Sequence, residues 1–245
     1  MKVIFWNIGY VPGLNGSLYH YAVGGHRIVW SPQKVQKKLL DGIASYIKQE
    51  APDLFLYSEI STGTARNRHL HQHEYLVAQV GEVKTHSATG KYRHALFHSL
   101  PLHAGNANGF LSPHECLAQT IHLKTGSKTL VYVVIVKGVT VVMVHLSLKR
   151  DTRAKQFKEL AEIISVMKGP LILCGDMNIF GGTKELLPLM EETGLTLSPE
   201  VPLTHPSFKP KRSLDIFLTR DLTKKVSVRT IATTISDHLP IVLEF

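Results

Sequence analysis

The sequence has little cysteine and no long apolar run. Its 245 residues include two cysteines, Cys116 and Cys174, each within an apolar segment, which indicates buried reduced thiols and excludes the disulfide framework of a small secreted domain. No run approaches the ~20 apolar residues of a membrane span, and the first residues reach polar Asn7 at once instead of forming the apolar core of a signal peptide. We therefore expect a cytoplasmic protein without a transmembrane segment, and a monomer.

Acidic residues are also scarce relative to basic ones. The chain has 28 Lys and Arg against 19 Asp and Glu, which gives a formal net charge of +9. This excess favours encounter with polyanions such as nucleic acid, anionic lipid headgroups or phosphorylated small molecules, without choosing among them. Hydrophobic residues make up 44% of the chain, enough to bury a substantial core.

Apolar runs of strand length alternate with helical patterns. The strand-like runs, mostly rich in Val, Ile and Phe, cover residues 3–8, 53–58, 130–136, 139–146, 171–174, 214–218 and 239–244. Lys137-Gly138 predicts a tight hairpin between two of them. Apolar spacing predicts a helix that begins after Ser31 as N-cap and stops at Ala51-Pro52, and a second helix over about 152–168. Strands mixed with helices predict a mixed sheet covered by helices.

Polar residues with catalytic chemistry stand at the ends of six apolar runs. In chain order these are Asn7, Glu59, His145, the segment Gly175-Asp176-Met177-Asn178, Asp215, and the segment Ser236-Asp237-His238. Each motif alone is equally compatible with a cap or a surface turn. If the strand ends meet at one edge, however, carboxylates, amides and imidazoles converge on a single site.

This order of motifs resembles the endonuclease/exonuclease/phosphatase superfamily, which includes pancreatic-type deoxyribonucleases, apurinic endonucleases, neutral sphingomyelinases and inositol polyphosphate 5-phosphatases. The resemblance runs from residue 3 to residue 245. It implies an α/β fold of two packed mixed β-sheets flanked by helices, the four-layer sandwich of the deoxyribonucleases, with residues 1–245 as one catalytic domain. It also implies a phosphoester hydrolase that uses Mg²⁺, with Mn²⁺ as a substitute.

The metal ligands implied by the resemblance are oxygen donors. Glu59 is the expected primary ligand, Asn7 a helper that binds directly or through water, and Asp237 either a ligand or a residue that positions His238. Oxygen donors suit Mg²⁺, which usually takes one or two carboxylates and keeps several waters.

The resemblance also implies the catalytic roles. His238, whose imidazole ordinarily titrates near ~6.5, would act with Asp215 as its orienting partner. Asp176 would orient the attacking water and Asn178 would donate to a phosphoryl oxygen. His145 would contact the phosphate or assist the leaving group. Whether the histidine or the aspartate is the formal base stays open.

One segment departs from the superfamily pattern. Many members carry Gly-Asn-Ala before an apolar run, and the matching segment here is 93–101, where His94 replaces the phosphate-side Asn. Lys91 and Arg93 lie beside it, so these three residues are the predicted substrate contacts. The downstream Gly105-Asn106-Ala107 is interpreted as a chance match.

The substrate is predicted less sharply than the reaction. The charge favours nucleic acid, while a lipid-headgroup or sphingomyelin-type phosphodiesterase, a small-molecule phosphatase and a catalytically silent binding module remain open. A nucleic-acid substrate predicts one basic face of Lys91, Arg93, Lys209, Lys211 and Arg212. A lipid or small phosphoester predicts an apolar rim of Tyr10, Leu14, Tyr19 and Phe110.

A histidine-rich segment lies outside these motifs. His69, His71 and His73 alternate, which on a strand would place three imidazoles on one face for Zn²⁺. The surrounding apolar spacing favours a basic helix instead, in which His69 and His73 share a face.

Overall fold

The computed structural model describes residues 1–92 and 105–245. Its strands are β1 (Lys2–Asn7), β2 (Leu54–Ser61), β3 (Thr85–Gly90), β4 (Asn106–Ser112), β5 (Leu117–His122), β6 (Leu130–Val136), β7 (Val139–His145), β8 (Leu171–Asp176), β9 (Thr196–Leu197), β10 (Asp215–Arg220), β11 (Ser227–Thr230) and β12 (Ile241–Glu244). Its α-helices are α1 (Leu18–Gly24), α2 (Gln33–Glu50), α3 (Gln72–Val80), α4 (Arg150–Ser165) and α5 (Leu187–Thr193).

The strands form two mixed six-stranded sheets. The first has the order β11-β12-β1-β2-β4-β3 and the second β5-β6-β7-β8-β10-β9. Each sheet contains one parallel pair, β1 with β2 and β7 with β8, among antiparallel neighbours. One apolar layer lies between the sheets, a second lies under α2 and α3, and a third under α4 and α5. The predicted four-layer α/β sandwich is therefore confirmed.

The two long helices follow the predicted patterns with one correction. In α4 the predicted face is buried, as Phe157 and Leu160 show. In α2 the N-cap is Pro32 and not Ser31, because the helix begins at Gln33, and Pro32 has no side chain that caps it. At its other end Ala51 adopts a left-handed conformation and the following proline cannot continue the helix. None of the helices in the described ranges is long and apolar enough to cross a membrane.

Five strands were not predicted, namely β3, β4, β5, β9 and β11. All but β4 are edge strands that pair with one neighbour each among the described strands, and they lack the long apolar run of a central strand. β4 begins with Asn106 and includes Gly109, residue types that are depleted in strands. Its burial between β2 and β3 overrides that local preference.

The strand registers bring the predicted motifs to one edge. Asn7 pairs with Ser58 across β1 and β2, directly before Glu59. In the second sheet His145 pairs with Asp176, which in turn pairs with Asp215. The backbone therefore aligns these residues before any side-chain interaction is considered.

Candidate active site

Asp176 joins the two sheets at this edge. Its Oδ2 accepts a hydrogen bond of 3.0 Å from the Asn7 amide, which lies in the first sheet. Its Oδ1 accepts from the backbone N–H of Asn178 at 3.1 Å. The preceding Gly175 has a φ of 148° and a Cβ there would overlap the carbonyl oxygen of Val144, so only glycine allows β7 and β8 to approach this closely. Burial raises the pKa of Asp176 to about 6, against the opposing charge of the nearby His238.

His238 and Asp215 form a buried pair where the edges of the two sheets meet, at the place that we call the seam. The imidazole Nδ1–H donates to Asp215 Oδ2 at 2.7 Å, and both side chains are almost inaccessible to solvent. The Trp6 indole N–H donates to the His238 carbonyl at 2.9 Å and fixes the backbone there. Burial alone would lower the pKa of His238, but the charge and hydrogen bond of Asp215 raise it to about 10. The ligand atoms of Asp176, Asp215 and His238 lie within 4.8 Å of one another.

Glu59 lies on the other side of the site, where the backbone of β2 is irregular. The register of β2 against β4 shifts between Tyr57 and Ile60, and Glu59 has a φ of 61°. Its Oε1 lies 3.3 Å from Lys91 Nζ and 3.9 Å from Lys128 Nζ. Burial alone would raise the pKa of Glu59, but these two ammonium groups hold it well below its usual range.

His145 stands between the two sides of the site. Its Nδ1 lies 3.9 Å from Glu59 Oε1, and its Nε2 lies 3.4 Å from Asp176 Oδ2. Lys128 Nζ donates a hydrogen bond to the same Nε2. Burial and the Lys128 charge lower the pKa of His145 well below the ordinary value, so the ring is neutral and the contact with Asp176 is not an ion pair.

A cavity of about 190 Å³ opens beside these residues. Glu59 and Asp237 line it together with residues of the segment that follows β1. Two cations, Arg27 and Arg66, also line it, and the Arg66 guanidinium lies 3.8 Å from the centre of the Tyr10 ring. The cavity therefore combines two acidic groups with two cations and an aromatic wall.

The donors around the cavity fit a hard divalent cation. Glu59 and Asp237 contribute carboxylate oxygens to one cavity, and the Asn7 amide oxygen, which accepts from Gly9 N–H at 3.1 Å, retains a second lone pair. This donor set matches the predicted Mg²⁺ ligands in chemistry. Lys91 is the competing group, because its ammonium already neutralises Glu59.

The sequence matches a family model over nearly its whole length. The model of the endonuclease/exonuclease/phosphatase family covers residues 6–238, which include every residue of the seam described above. The chain belongs to this family. Members of the family are phosphoester hydrolases, which supports that activity for this chain. Comparison with curated proteins gives no match.

Solved structures share the fold at low sequence identity. An endonuclease/exonuclease/phosphatase from Beutenbergia cavernae is 19% identical with a TM-score of 0.69, covering 99% of this chain and 70% of that one. Sphingomyelinase C from Streptomyces griseocarneus is 15% identical with a TM-score of 0.68, covering 99% and 98%. A humanized D. rerio TDP2 is 15% identical with a TM-score of 0.65, covering 99% and 97%. At these identities the likeness shows the fold alone.

The structure distributes the predicted substrate contacts unevenly. Arg93 and His94 lie outside the described residues. Lys91 is buried beside Glu59 and is not part of an exposed basic face. Gly105-Asn106-Ala107, interpreted from the sequence as a chance match, opens β4 beside the site: its Asn106 carbonyl accepts from Lys91 N–H at 3.0 Å. This position beside Lys91 follows from the pairing of β4 with β3, and the interpretation as a chance match stays a prediction.

Two further residues, Lys128 and His205, lie beside the predicted site residues. Lys128 precedes β6, and the buried Gln156 holds its carbonyl through a 2.7 Å hydrogen bond. The His205 ring lies 4.8 Å from the His238 ring, and its Nε2 is 3.9 Å from Asp237 Oδ2. The position of Lys128 just before a strand whose partner ends in His145 is the signal that identifies it, since the hairpin places the two at the same edge.

Proposed function

We propose that this phosphoesterase is a divalent-metal-dependent phosphodiesterase whose hydrolytic site is the seam between the sheets. The observation that carries the proposal is the buried His238–Asp215 pair within 4.8 Å of Asp176. A carboxylate that titrates near neutrality beside a cationic imidazole provides a proton acceptor and a positive charge at one point.

Asp176 is the better candidate for the base. Its pKa of about 6 leaves it ionised at neutral pH yet basic enough to accept a proton from water, and the Asn7 amide fixes its orientation. His238, with a pKa of about 10, is protonated at neutral pH. It would stabilise the negative charge that develops on the phosphoryl oxygens, and Asp215 holds it in place.

Glu59, Asp237 and Asn7 would hold the metal. When bound, a dication supplies charge that neutralises phosphate oxygens and stabilises the leaving oxygen. Lys128 and neutral His145 would donate to the phosphate from the side of the second sheet. One Asn178 amide hydrogen bonds the Leu146 carbonyl at 2.9 Å, which leaves its second N–H for a phosphoryl oxygen.

Nucleic acid is the first candidate substrate. Arg27 and Arg66 line the cavity, and the loop before β10 exposes three further cations, Lys209, Lys211 and Arg212. Together with the net charge of +9, these groups would contact consecutive phosphates. Lys91 does not contribute to that face.

A lipid phosphodiester is the second candidate, favoured by an exposed apolar segment beside the cavity. In residues 18–30, Leu18 is 88% exposed, Tyr19 73% and Trp30 56%. Tyr10 and Leu14 line the cavity itself, as predicted for an apolar rim, whereas Phe110 lies in the core between the sheets. Exposed apolar clusters of this kind mark membrane or partner surfaces.

One experiment separates these candidates. Hydrolysis is measured with Mg²⁺ or Mn²⁺ at two salt concentrations on plasmid DNA, abasic duplex, single-stranded RNA and sphingomyelin vesicles. Three proteins are compared: wild type, a lysine variant (Lys209→Ala with Lys211→Ala) and an apolar variant (Leu18→Ser with Trp30→Ser). If the protein is a nuclease, its KM for nucleic acid should rise in the lysine variant and at high salt. If it acts on lipid, its KM for sphingomyelin vesicles should rise in the apolar variant. Hydrolysis unaffected by EDTA would contradict the metal-dependent mechanism, and no hydrolysis of any substrate would support a silent binding module.

We also propose that the protein acts in the cytoplasm as a monomer. Both cysteines are free thiols, and Cys174 is fully buried in the core. A reducing compartment suits such thiols. Fractionation of the native host cell and light scattering of the purified protein test the two statements separately.

A further inference from the structure

A second cluster of metal-ligating side chains lies between α3 and the edge strand β3. His73, in the first turn of α3, places its Nε2 3.0 Å from His86 Nδ1 on β3. The same Nε2 lies 3.9 Å from Glu74 Oε1. All three ligand atoms lie within 4.8 Å of one another. None of them takes part in the seam where the phosphoesterase site lies.

We propose that His73, Glu74 and His86 bind a transition-metal ion of the Zn²⁺ class. Tetrahedral zinc with Zn–N bonds of ~2.0–2.1 Å holds its ligand nitrogens roughly 3.3 Å apart. The two imidazoles would therefore separate by a few tenths of an ångström and turn so that both lone pairs face the ion. A side-chain rotation would bring the exposed Glu74 carboxylate to the ion as the third ligand. The ion replaces the proton that the two nitrogens share, and that proton moves to the other nitrogen of its own ring, so both imidazoles stay neutral and no net proton is released.

Tyr57 supplies the outer contact that such a site requires. Its hydroxyl is in hydrogen-bond contact with His73 Nδ1, and its ring is fully buried in the core. With a metal on Nε2, the Nδ1–H donates to the Tyr57 oxygen, which fixes both the tautomer and the ring orientation. Burial, together with His86 and His71, lowers the pKa of His73 to about 4, so the ring is a neutral ligand at physiological pH.

The donor chemistry separates this cluster from the seam. Imidazole nitrogens suit zinc, copper or nickel and are poor ligands for Mg²⁺, whereas Glu59, Asp237 and Asn7 offer oxygens alone. His86 and Glu74 are exposed, so an ion reaches the cluster from solvent and keeps a water as its fourth ligand. This pairing differs from the predicted one, since His69 contacts the Gly63 carbonyl and not His73.

The position of the cluster suggests what the ion would do. Among the described strands β3 pairs with β4 alone, at the edge of its sheet, and it leads directly into Lys91, the partner of Glu59. An ion shared by His73 and His86 would clip this strand to α3. The expected effect is stabilisation of the sheet edge that delivers Lys91 to the phosphoesterase site.

The test measures zinc binding in a protein whose seam is silenced. Metal-free full-length protein carrying Glu59→Gln and His238→Ala is titrated with Zn²⁺ against a chromogenic chelator in excess Mg²⁺, and with Co²⁺ for its visible absorption bands. We expect one Zn²⁺ per chain with micromolar or tighter affinity and tetrahedral Co²⁺ bands. Adding His86→Ala or Glu74→Ala should weaken binding by at least ~10-fold. His69→Ala is the matched control and should change nothing.

The exposed ligands keep the test decisive even if variants of buried His73 misfold. Zinc should raise Tm in the silenced protein and fail to do so once His86→Ala is added. Zinc binding that survives both His86→Ala and Glu74→Ala would overturn the proposal. The absence of micromolar zinc binding would also overturn it. A third contrary outcome is zinc binding by wild type that disappears when the seam alone is silenced, because the ion would then belong to the phosphoesterase site.

Discussion

The two sides of the site differ in how the backbone positions their charged groups and in which charges surround them. We call Asp176, Asp215 and His238 the acid-base side, and Glu59 with Lys91 and Lys128 the glutamate side. On the acid-base side, Asp176 and Asp215 lie on regular strands whose register aligns them, and His238 lies in the segment before β12. The glutamate side depends on a bulge, a positive φ at Glu59 and cations from two other elements. Regular backbone thus positions the residues proposed for proton transfer, and irregular backbone positions the proposed metal ligand.

The protonation of the two sides differs accordingly. Burial raises the pKa of Asp176 to about 6, so the carboxylate is ionised at neutral pH but less stable relative to its protonated form than that of an ordinary aspartate. The pKa of Glu59 is instead held low, because two ammonium groups outweigh its burial. One carboxylate is kept reactive at a cost in stability, whereas the other belongs to a stabilising ion network.

The largest expected effect comes from substitutions on the acid-base side. Asp176→Asn and His238→Ala should each lower kcat by at least ~100-fold, the usual scale for groups that transfer protons or stabilise charge. The measurement is kcat at saturating metal, because excess metal cannot restore a missing base or cation. Circular dichroism checks that each variant folds.

Matched substitutions away from the site serve as controls. Asp41 is exposed and accepts from the Tyr75 hydroxyl at 2.8 Å, and His69 is exposed on the surface. Asp41→Asn and His69→Ala should retain wild-type kcat. Wild-type turnover in Asp176→Asn or His238→Ala would remove the proposed mechanism.

Breaking the glutamate side should affect metal use more than turnover. In Glu59→Gln a neutral amide replaces a carboxylate, a poorer ligand for a hard dication. We expect the Mg²⁺ concentration for half-maximal activity to rise at least ~10-fold. Glu192→Gln, on the exposed face of α5, is the matched control. An unchanged Mg²⁺ requirement would place the metal elsewhere.

The pH profile sharpens the comparison on the acid-base side. Proton acceptance requires ionised Asp176, so kcat/KM should fall as pH drops through about 6, by ~10-fold per pH unit below it. A bound dication would move this midpoint lower, and loss of the His238 proton should end activity only near pH 10. An acid limb centred above pH 7 would contradict the assignment of Asp176 as the base.

Much of the fold and of the acid-base side could be predicted from the sequence. Central strands read as continuous apolar runs, and the polar residues that end them identify the site edge without any knowledge of side-chain contacts. Asp176, Asp215 and His238 follow or precede such runs directly. The alignment of their strands then places them together, which is why the motif order was informative.

The glutamate side could not be predicted in the same way. Lys91 follows the edge strand β3, whose apolar pattern is weak. Lys128 can be placed at the site edge from the β6–β7 hairpin, but neither position indicates an ion pair with Glu59. The bulge between Tyr57 and Ile60 reorients Glu59 and has no propensity signal. Asn106 was interpreted as part of a chance match because Gly105-Asn106-Ala107 follows Pro101, which is the wrong side of the proline for the superfamily motif.

The smallest expected effect is on stability. It compares the two sides most directly, because substitutions of Asp176 and Glu59 should change stability in opposite directions. The folded-state pKa of Asp176 is raised above 3.8, so its ionisation costs stability above about pH 6 and costs nothing below the unfolded value. The pKa of Glu59 is lowered, so its contribution is present above 4.5 and is lost as pH falls. In EDTA at pH 8, Asp176→Asn should therefore raise Tm and Glu59→Gln should lower it. Changes of ~1 kcal/mol correspond to roughly 2–4 °C for a chain of this size, and both differences should shrink at pH 4. Tm shifts of the same sign at pH 8 would show that the two sides do not differ as their charges imply.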